Sequence, residues 1–226
     1  MKTIILAGGK GERLKPLTDK IPKPMVLLKG KPIIWYIIQQ LKFYNFKNIN
    51  VAIGFKGQVI KEYFKTNFLD LNIKLFDNGN VDIIERIKSI VKNDYSEDVL
   101  VLYGDTISDV KVDNLLSFHK LHTEFSTLTV WPLKTNFGIV EIDKNNCISE
   151  FKEKPVLDKY INVGYFLLRK EMIKYLHDFE SYAEFLIFCG SKGLLKAFIH
   201  NGEHYTVNNI VELKEAENNL NKINIY

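Results

Sequence analysis

The stretch Thr3-Ile4-Ile5-Leu6-Ala7-Gly8-Gly9-Lys10-Gly11-Glu12-Arg13-Leu14 decides the fold of this 226-residue chain. Its apolar first half is typical of a buried strand. The glycines that follow allow the backbone to turn sharply and to approach a ligand closely. Their free N–H groups can form a concave anion site. Arg13, together with Lys23 of the following Pro22-Lys23-Pro24-Met25, supplies cationic donors suited to phosphate. The first strand is therefore predicted to end in a polyphosphate site.

Other glycine motifs fit this stretch less well. The Rossmann dinucleotide fingerprint needs a third glycine at the position of Leu14 and a helix directly afterwards. Pro16, Pro22 and Pro24 disfavour that helix. The G-K-[ST] ending of a P-loop is also missing. A plain structural turn stays open as an alternative.

Composition is that of one globular domain, with 46% hydrophobic residues. A net charge of +4 is too mild to indicate nucleic acid as a partner. Cys147 and Cys189 lie far apart without metal-ligand spacing, which is typical of buried thiols in a reducing cytoplasm. Apolar runs are too short for a signal peptide or a membrane span. We therefore expect a cytoplasmic protein without a membrane partner.

Strand-like and helix-like segments alternate in the first half of the chain. Apolar patterning predicts strands at 49–53, 73–76 and 99–103 and helices at 32–44, 58–65, 81–92 and 114–121. Such alternation implies a parallel sheet with right-handed crossovers, whose ligands bind beyond the carboxyl ends of the strands. The glycine loop and Gly104-Asp105, which follows strand 99–103, both lie at that edge.

The second half is more mixed and is expected to extend the sheet. The predicted strands are 126–131, 138–142, 148–151, 161–168, 196–200 and 204–207, and the predicted helices are 171–179, 182–188 and 211–221.

Asp105 is badly placed for packing at the end of an apolar strand. A carboxylate there is well placed to hold Mg²⁺, which prefers oxygen ligands, and equally well placed to cap the following turn. The residues alone leave both roles open.

Leu6-Ala7-Gly8-Gly9-x-Gly11-x-Arg13-Leu14 with Pro22-Lys23-Pro24-Met25 resembles the signature of the sugar-1-phosphate nucleotidyltransferases. Phe151-Lys152-Glu153-Lys154-Pro155 resembles the family's F-x-E-K-P, and Tyr103-Gly104-Asp105 resembles its L-x-G-D. The resemblance implies an α/β fold with a Rossmann-like, mostly parallel (mixed) central sheet flanked by helices, the GT-A-like nucleotidyltransferase fold. It implies a single domain over 1–226, with a nucleotide-binding half at 1–122 and a sugar-phosphate-binding half at 123–226.

The resemblance also implies a reaction in which a sugar 1-phosphate attacks a nucleoside triphosphate with Mg²⁺ as cofactor. Arg13 and Lys23 are then the catalytic cations. The nucleotide-binding residues are Leu6, Ala7, Gly8, Gly9, Gly11, Asn78, Gly79 and Gly104. The sugar-phosphate-binding residues are Gly138, Glu153, Lys154, Asn162 and Gly164. The metal ligands are Asp105 and Asn208.

Asn208 departs from the family pattern, which usually has a second aspartate there. Its carbonyl oxygen can coordinate Mg²⁺ but adds no charge. A catalytically weak protein that binds nucleotide sugar and regulates a partner is therefore an alternative, and a glycosyltransferase with a related sheet is another.

The segment 77–81, followed by Glu85-Arg86-Ile87, most resembles glucose-1-phosphate cytidylyltransferases and favours CTP over GTP, UTP or dTTP. Aromatic residues in the C-terminal half would permit a homo-oligomer.

Overall fold

The structure of the protein is a computed structural model that describes residues 1–92 and 94–223. Its strands, in chain order, are β1 (Lys2–Ala7), β2 (Leu27–Leu28), β3 (Lys31–Pro32), β4 (Asn48–Ile53), β5 (Asn72–Asp77), β6 (Val99–Tyr103), β7 (Thr106–Ser108), β8 (Ser126–Lys134), β9 (Ile139–Ile142), β10 (Ile148–Lys152), β11 (Val156–Leu168), β12 (Leu195–Ile199) and β13 (His204–Thr206). Seven of them form a central sheet in the order β12-β8-β11-β6-β1-β4-β5. Only β11 runs antiparallel to its neighbours in this sheet. The predicted mostly parallel, mixed sheet is confirmed.

The α-helices of the described residues are α1 (Ile33–Phe43), α2 (Gly57–Phe64), α3 (Ile83–Val91), α4 (Val112–Lys120), α5 (Tyr182–Ser191) and α6 (Ile210–Asn219). Their bounds lie close to those predicted. The segment predicted as a helix at 171–179 is helical, and it forms a 3-10 helix over Lys170–Asp178. Its buried Ile173 and Leu176 are three residues apart, which matches the three-residue turn of that helix. Within residues 1–92 and 94–223, no helix is both long and apolar enough to cross a bilayer.

The central strands are buried on both faces of the sheet, and this packing holds their carboxyl ends in place. Ile5 and Leu102 pack in one hydrophobic cluster with α1, while Ile4 and Val101 pack in another with α3 and α5. Successive residues of one strand thus face opposite layers. The carboxyl ends of β1 and β6 are therefore held rigidly side by side.

Strands β9 and β10 form a hairpin that pairs with no other strand of the described residues. Strand β13 likewise pairs with β7 instead of the central sheet. The expectation that the second half extends the sheet is correct for β8, β11 and β12 and wrong for these three. The turn of the hairpin also carries Cys147, which is exposed, so the prediction of a buried thiol holds only for Cys189.

A buried ionic network joins the two halves at the amino end of the sheet. Asp98 precedes β6, and its Oδ2 lies 2.7 Å from Arg169 Nη1 and 3.3 Å from His119 Nε2. Its Oδ1 accepts a hydrogen bond from the Lys170 backbone N–H at 2.9 Å. Burial opposes the charged form, but these hydrogen bonds and the Arg169 charge outweigh it and lower the pKa of Asp98 to about 2.

We predict that Asp98→Asn lowers the free energy of unfolding at neutral pH by roughly 2 kcal/mol, the size of a charged hydrogen bond in a buried site. Because the folded-state pKa is lowered, this contribution is complete above the unfolded pKa near 3.8 and is lost as the pH falls through about 2. Urea unfolding at several pH values measures the difference between wild type and variant, which should shrink as the pH falls from about 4 towards 2. Glu62→Gln, at an exposed pair with Lys65, is the control and should change nothing measurable. A difference that grows on acidification would contradict the role of Asp98.

Candidate active site

Arg86 holds the carboxyl ends of three adjacent strands together. It lies on α3, which begins after Asp82 because the Asp82 carboxylate accepts a hydrogen bond from Ile84 N–H at 2.9 Å. Only 4% of the Arg86 surface is exposed. Its Nη1 donates to the carbonyl of Ile53 at the end of β4, at 2.7 Å. Its Nη2 donates to the carbonyls of Gly79, beyond β5, and Gly8, beyond β1, at 2.8 and 3.4 Å. Burial lowers the pKa of Arg86, and two nearby aspartates oppose the shift.

The glycine loop after β1 is shaped around neighbouring side chains. A Cβ on Gly8 would lie 2.0 Å from Arg86 Nη1, so only glycine fits there. Gly11 has a φ of 65°, and a Cβ on it would lie 2.9 Å from that of Lys23. Gly9, in contrast, has nothing within 4 Å of its Cβ direction and borders open space. The loop therefore packs against Arg86 and the segment 22–25 while it leaves Gly9 accessible.

Four predicted residues from distant parts of the chain meet beside this loop. Lys23 Nζ lies 2.5 Å from Asp105 Oδ2 and donates to Asn208 Oδ1 at 2.9 Å. Arg13 Nη2 donates to the same Asn208 oxygen at 3.0 Å. The Lys23 side chain is 10% exposed and that of Asp105 is 28% exposed, so this pair is largely withdrawn from water. The structure thus brings the predicted catalytic cations and the predicted metal ligands into one cluster.

Two cavities open on this cluster. The first has a volume of about 380 Å³ and is lined by Gly9, Gly11, Glu12, Arg13, Lys23, Asp105 and Asn208. The second has a volume of about 260 Å³ and is lined by Leu6, Gly8, Gly9, Lys23, Pro24, Asn80, Val81, Ile83, Arg86, Tyr103 and Asp105. They share Gly9, Lys23 and Asp105. A larger cavity of about 940 Å³ lies at the opposite edge of the sheet beside Met1 and Arg169, and no predicted site residue lines it.

The remaining predicted nucleotide-binding residues support these cavities to different degrees. Gly104 N–H donates to the Leu6 carbonyl at 3.0 Å, and a Cβ on Gly104 would lie 2.6 Å from that oxygen. The chain after β6 is therefore still in close contact with β1 at Gly104. Ala7 is fully buried beneath the loop. Asn78 accepts a hydrogen bond from Ser89 Oγ at 3.0 Å and lines neither cavity, whereas the neighbouring Asn80 does.

The predicted sugar-phosphate-binding residues divide into two groups. Asn162 and Gly164 on β11 pack against Tyr103, beside the smaller cavity. Gly138 lies against Phe151 and Glu153 of the hairpin segment. The side chains of Glu153 and Lys154 are each 63% exposed and line neither of the two cavities. Of the predicted sugar-phosphate-binding residues, the structure therefore brings only Asn162 and Gly164 close to the smaller cavity.

Asp105 and Asn208 carry oxygen donors of the kind that Mg²⁺ prefers. Asp105 Oδ2 and Asn208 Oδ1 both accept hydrogen bonds from Lys23 Nζ, so the ammonium group occupies the position between them, and the carboxylate oxygen that Lys23 leaves for a metal ion is Asp105 Oδ1. Among the described residues no group of three His, Cys, Asp or Glu side chains could hold a metal. Mg²⁺ commonly uses only one or two protein oxygens and takes its other ligands from phosphates and water. The residues present are compatible with that mode.

His204 on β13 does not neutralise Asp105, so Lys23 is the cation that balances the charge of that carboxylate. Burial and the nearby His200 lower the pKa of His204 to about 4, although Asp105 opposes the shift. The imidazole is therefore neutral at physiological pH. It lies 3.2 Å from Thr206 Oγ1, and its ring packs against Trp131. These contacts give His204 a structural role.

Sequence reasoning missed Arg86 and Tyr103 as site residues. Arg86 lies three residues after Ile83 and four before Ile90, so it occupies the apolar stripe of α3. A cation within a buried stripe was a visible signal of a special role. Tyr103 ends an otherwise aliphatic strand directly before Gly104-Asp105, which was a weaker signal.

Comparison with known proteins agrees with this geometry. Residues 2–208 match the family described as nucleotidyl transferase. The chain belongs to the nucleotidyl transferase family. This nucleotidyltransferase is 34% identical over 231 residues to the glucose-1-phosphate cytidylyltransferase of Salmonella typhi, with 89% of each chain covered. It is 35% identical over 196 residues to the D-glycero-alpha-D-manno-heptose 1-phosphate guanylyltransferase of Campylobacter jejuni, covering 82% of this chain and 85% of the relative.

Solved structures show the fold of this nucleotidyltransferase. HddC from Yersinia pseudotuberculosis complexed with GMP-PN superposes with a TM-score of 0.73 at 23% identity, over 97% of this chain and 99% of HddC. An apo UDP-glucose pyrophosphorylase superposes with a TM-score of 0.75 at 16% identity, over 98% of each chain. The family resemblance noted in the sequence motifs and the predicted nucleotidyltransferase fold are both confirmed.

We predict that Gly8→Ala lowers the free energy of unfolding by about 2 kcal/mol, the usual cost of forcing extra volume into a packed site. The added methyl group must displace the Arg86 guanidinium and break its carbonyl contacts. Gly9→Ala is the matched control and should stay within about 0.5 kcal/mol of wild type, because its Cβ points into open space. Urea unfolding followed by circular dichroism compares the two variants. Equal stability of both variants would contradict the clamp around Gly8.

Proposed function

We propose that this chain transfers the cytidylyl group of CTP to a sugar 1-phosphate and releases pyrophosphate. The observation that carries the proposal is the cluster of Lys23, Arg13, Asp105 and Asn208 beside an accessible glycine loop. Two cations and free backbone N–H groups suit a triphosphate, and the neighbouring acidic group suits its metal ion. Relatives named as cytidylyl- and guanylyltransferases of sugar 1-phosphates support this assignment.

In the proposed reaction an oxygen of the sugar phosphate attacks the α-phosphorus of the triphosphate. The bond from that phosphorus to the oxygen that bridges it to the β-phosphate breaks, and its electron pair leaves with pyrophosphate. Such transfers depend on alignment and on neutralising charge in the transition state. Gly8, Gly9 and Gly11 would bind the phosphates through the backbone, and Arg13 and Lys23 would stabilise the charge that develops.

Lys23 can serve in this way without leaving its partners. An ammonium group has three N–H donors, and Asp105 and Asn208 take two of them. The third can reach a phosphate oxygen in the cavities that Lys23 lines. The carboxylate thus orients the catalytic cation before the substrate arrives, which favours a preorganised site.

Mg²⁺ is the proposed cofactor, with Asp105 as its first protein ligand through Oδ1. Asn208 is the second proposed ligand, and its oxygen would exchange the hydrogen bond from Arg13 for the metal ion while it keeps the one from Lys23. Bound there, it would neutralise phosphate charge and orient the triphosphate. Asn208 supplies an oxygen but no charge, so Asp105 provides the only formal negative charge of the pair.

The preference for CTP rests on the segment after β5 and on the smaller cavity. Asn80 and Arg86 are polar groups on its wall that can recognise a base edge, and Val81 and Ile83 supply apolar surface. The relationship to a guanylyltransferase makes GTP the competing choice.

The experiment that tests the function is pyrophosphate release with each of CTP, UTP, dTTP, GTP and ATP against glucose and heptose 1-phosphates. Thermal shifts with the same nucleotides and Mg²⁺ run in parallel, since a ligand that binds only the folded state raises the melting temperature. Turnover with CTP above the other nucleotides supports the proposal, and preference for another nucleotide corrects the base. Nucleotide binding without turnover of any pair would instead favour a regulatory protein.

We predict that Lys23→Ala lowers turnover by roughly two to three orders of magnitude, the cost of one lost transition-state donor. Lys20→Ala, an exposed lysine close to the same loop, is the matched control and should keep activity within about twofold, because surface substitutions of this kind are nearly neutral. Steady-state kinetics at saturating substrates measures both variants. Activity of the Lys23 variant within a few-fold of wild type would exclude a catalytic role for this residue.

We predict that Asp105→Asn weakens the binding of Mn²⁺, used in place of Mg²⁺, in the presence of CTP by at least about tenfold. The substitution keeps an oxygen donor and removes the charge. Electron paramagnetic resonance of free Mn²⁺ gives the affinity independently of activity. Asp19→Asn, an exposed acid near the loop, is the control and should bind Mn²⁺ as wild type does. Unchanged Mn²⁺ affinity in the Asp105 variant would remove Asp105 from the metal site.

A further inference from the structure

Tyr103 connects the two proposed substrate subsites. It ends β6, and its ring forms part of the wall of the 260 Å³ cavity together with Leu6, Gly9 and Arg86. Its hydroxyl accepts a hydrogen bond from Asn162 Nδ2 at 3.1 Å. Asn162 belongs to β11, the strand that continues from the proposed sugar-phosphate half. One side chain thus contacts both halves of the site.

The backbone of β11 is built around this side chain. Asn162 Oδ1 accepts a hydrogen bond from Gly164 N–H at 2.8 Å, so the orientation of the amide is fixed at both ends. Gly164 has a φ of 80°, and a Cβ on it would lie 2.5 Å from Tyr103 Cγ. The pairing of β11 with β8 also shifts its register between Asn162 and Phe166. The irregularity of β11 therefore makes room for the tyrosine ring.

The hydroxyl of Tyr103 retains a proton to donate. A tyrosine hydroxyl carries one donor proton in addition to the oxygen lone pairs that accept hydrogen bonds. Within residues 1–92 and 94–223 the structure shows no acceptor for this proton, because the bond with Asn162 uses the oxygen as acceptor. A half-buried donor without an acceptor is costly unless a ligand or water satisfies it.

We propose that Tyr103 is a specificity-determining residue that binds the nucleotide with its ring and donates its hydroxyl hydrogen bond to the sugar 1-phosphate. Asn162 acts as the positioning residue that aims this hydroxyl. The proposal rests on the proposed nucleotidyl transfer and adds a residue that the family motifs did not single out. Because one side chain borders both subsites, a nucleotide bound against its ring would hold the hydroxyl in the position from which it donates to the sugar 1-phosphate.

Tyr103→Phe tests the proposal because it removes a single oxygen and keeps the ring. The KM for the sugar 1-phosphate should rise about 3- to 10-fold, the size expected for one neutral hydrogen bond. The KM for the nucleotide should stay within about twofold, since the ring that the nucleotide contacts is unchanged. Tyr165→Phe is the matched control. Tyr165 lies on β11, its buried hydroxyl donates to Gln40 Oε1 of α1 at 2.6 Å, and it lines neither cavity. The substitution should therefore lower the melting temperature and leave both KM values unchanged.

A double-mutant cycle separates this role from a structural one. Asn162→Ala, Tyr103→Phe and the double variant are compared by circular dichroism, melting temperature and initial rates. If Asn162 aims the hydroxyl, loss of the hydroxyl should raise the KM for the sugar phosphate much less in the Asn162→Ala background than in wild type. Additive effects, or an equal rise of both KM values in Tyr103→Phe, would overturn the proposal. Wild type without turnover in this assay would overturn the proposed function together with this inference, whereas an active wild type with an unaffected Tyr103→Phe would overturn the inference alone.

Discussion

The hydrogen bonds of one buried guanidinium hold the site together. Arg86 directs its terminal nitrogens at backbone carbonyls beyond or at the ends of β1, β4 and β5. Carbonyl dipoles stabilise the cation but do not cancel its charge as a carboxylate would. Asp77 and Asp82 act on this charge without forming a direct ion pair with it among the described residues. A buried charge that is solvated mainly by dipoles is expensive, and an anion in the adjoining cavity reduces that cost. The constraint that shapes the glycine loop is thus also a source of positive potential beneath it.

Lys23, a second cation of the site, is paired with a carboxylate, whereas Arg86 is held by backbone carbonyls. Lys23 is neutralised by Asp105 at 2.5 Å, and Asn208 holds both Lys23 and Arg13 through one oxygen. These side chains come from the segment after β1, the end of β6 and the residues after β13, so no single element could place them. Because each is held by another, little reorganisation remains when a triphosphate enters. Arg86 thus supplies a positive charge that no direct ion pair of the described residues neutralises, while the Lys23 cluster supplies geometry.

The parts of this molecule that sequence predicts well are those that local patterning determines. β6 was predicted with its observed bounds, because five consecutive aliphatic or aromatic residues, four of them buried, leave little choice. The charged cluster was accessible through motif spacing and through the rule that ligands bind beyond the strand ends. The separate hairpin β9–β10 was not, because its alternating apolar residues resemble a sheet strand while the structure leaves Ile148 and Phe151 exposed. The link of Tyr103 to Asn162 spans 59 residues and depends on a shift of register, which local patterning does not contain.

The antiparallel strand β11 explains how two halves of different character share one site. It enters the sheet between β6 and β8 and runs against the direction of both. A parallel strand at this position would end at the same edge of the sheet as β6. The loop after that strand, and not the strand itself, would then pass Tyr103. Because β11 runs the other way, its residues before Tyr165 pass the carboxyl end of β6 while still part of the strand. Asn162 is therefore positioned by a strand rather than by a loop, and a side chain on a rigid element can be aimed more accurately than one on a connection. The single antiparallel strand of the sheet thus places Asn162, a residue of the second half, beside Tyr103 at the carboxyl end of β6.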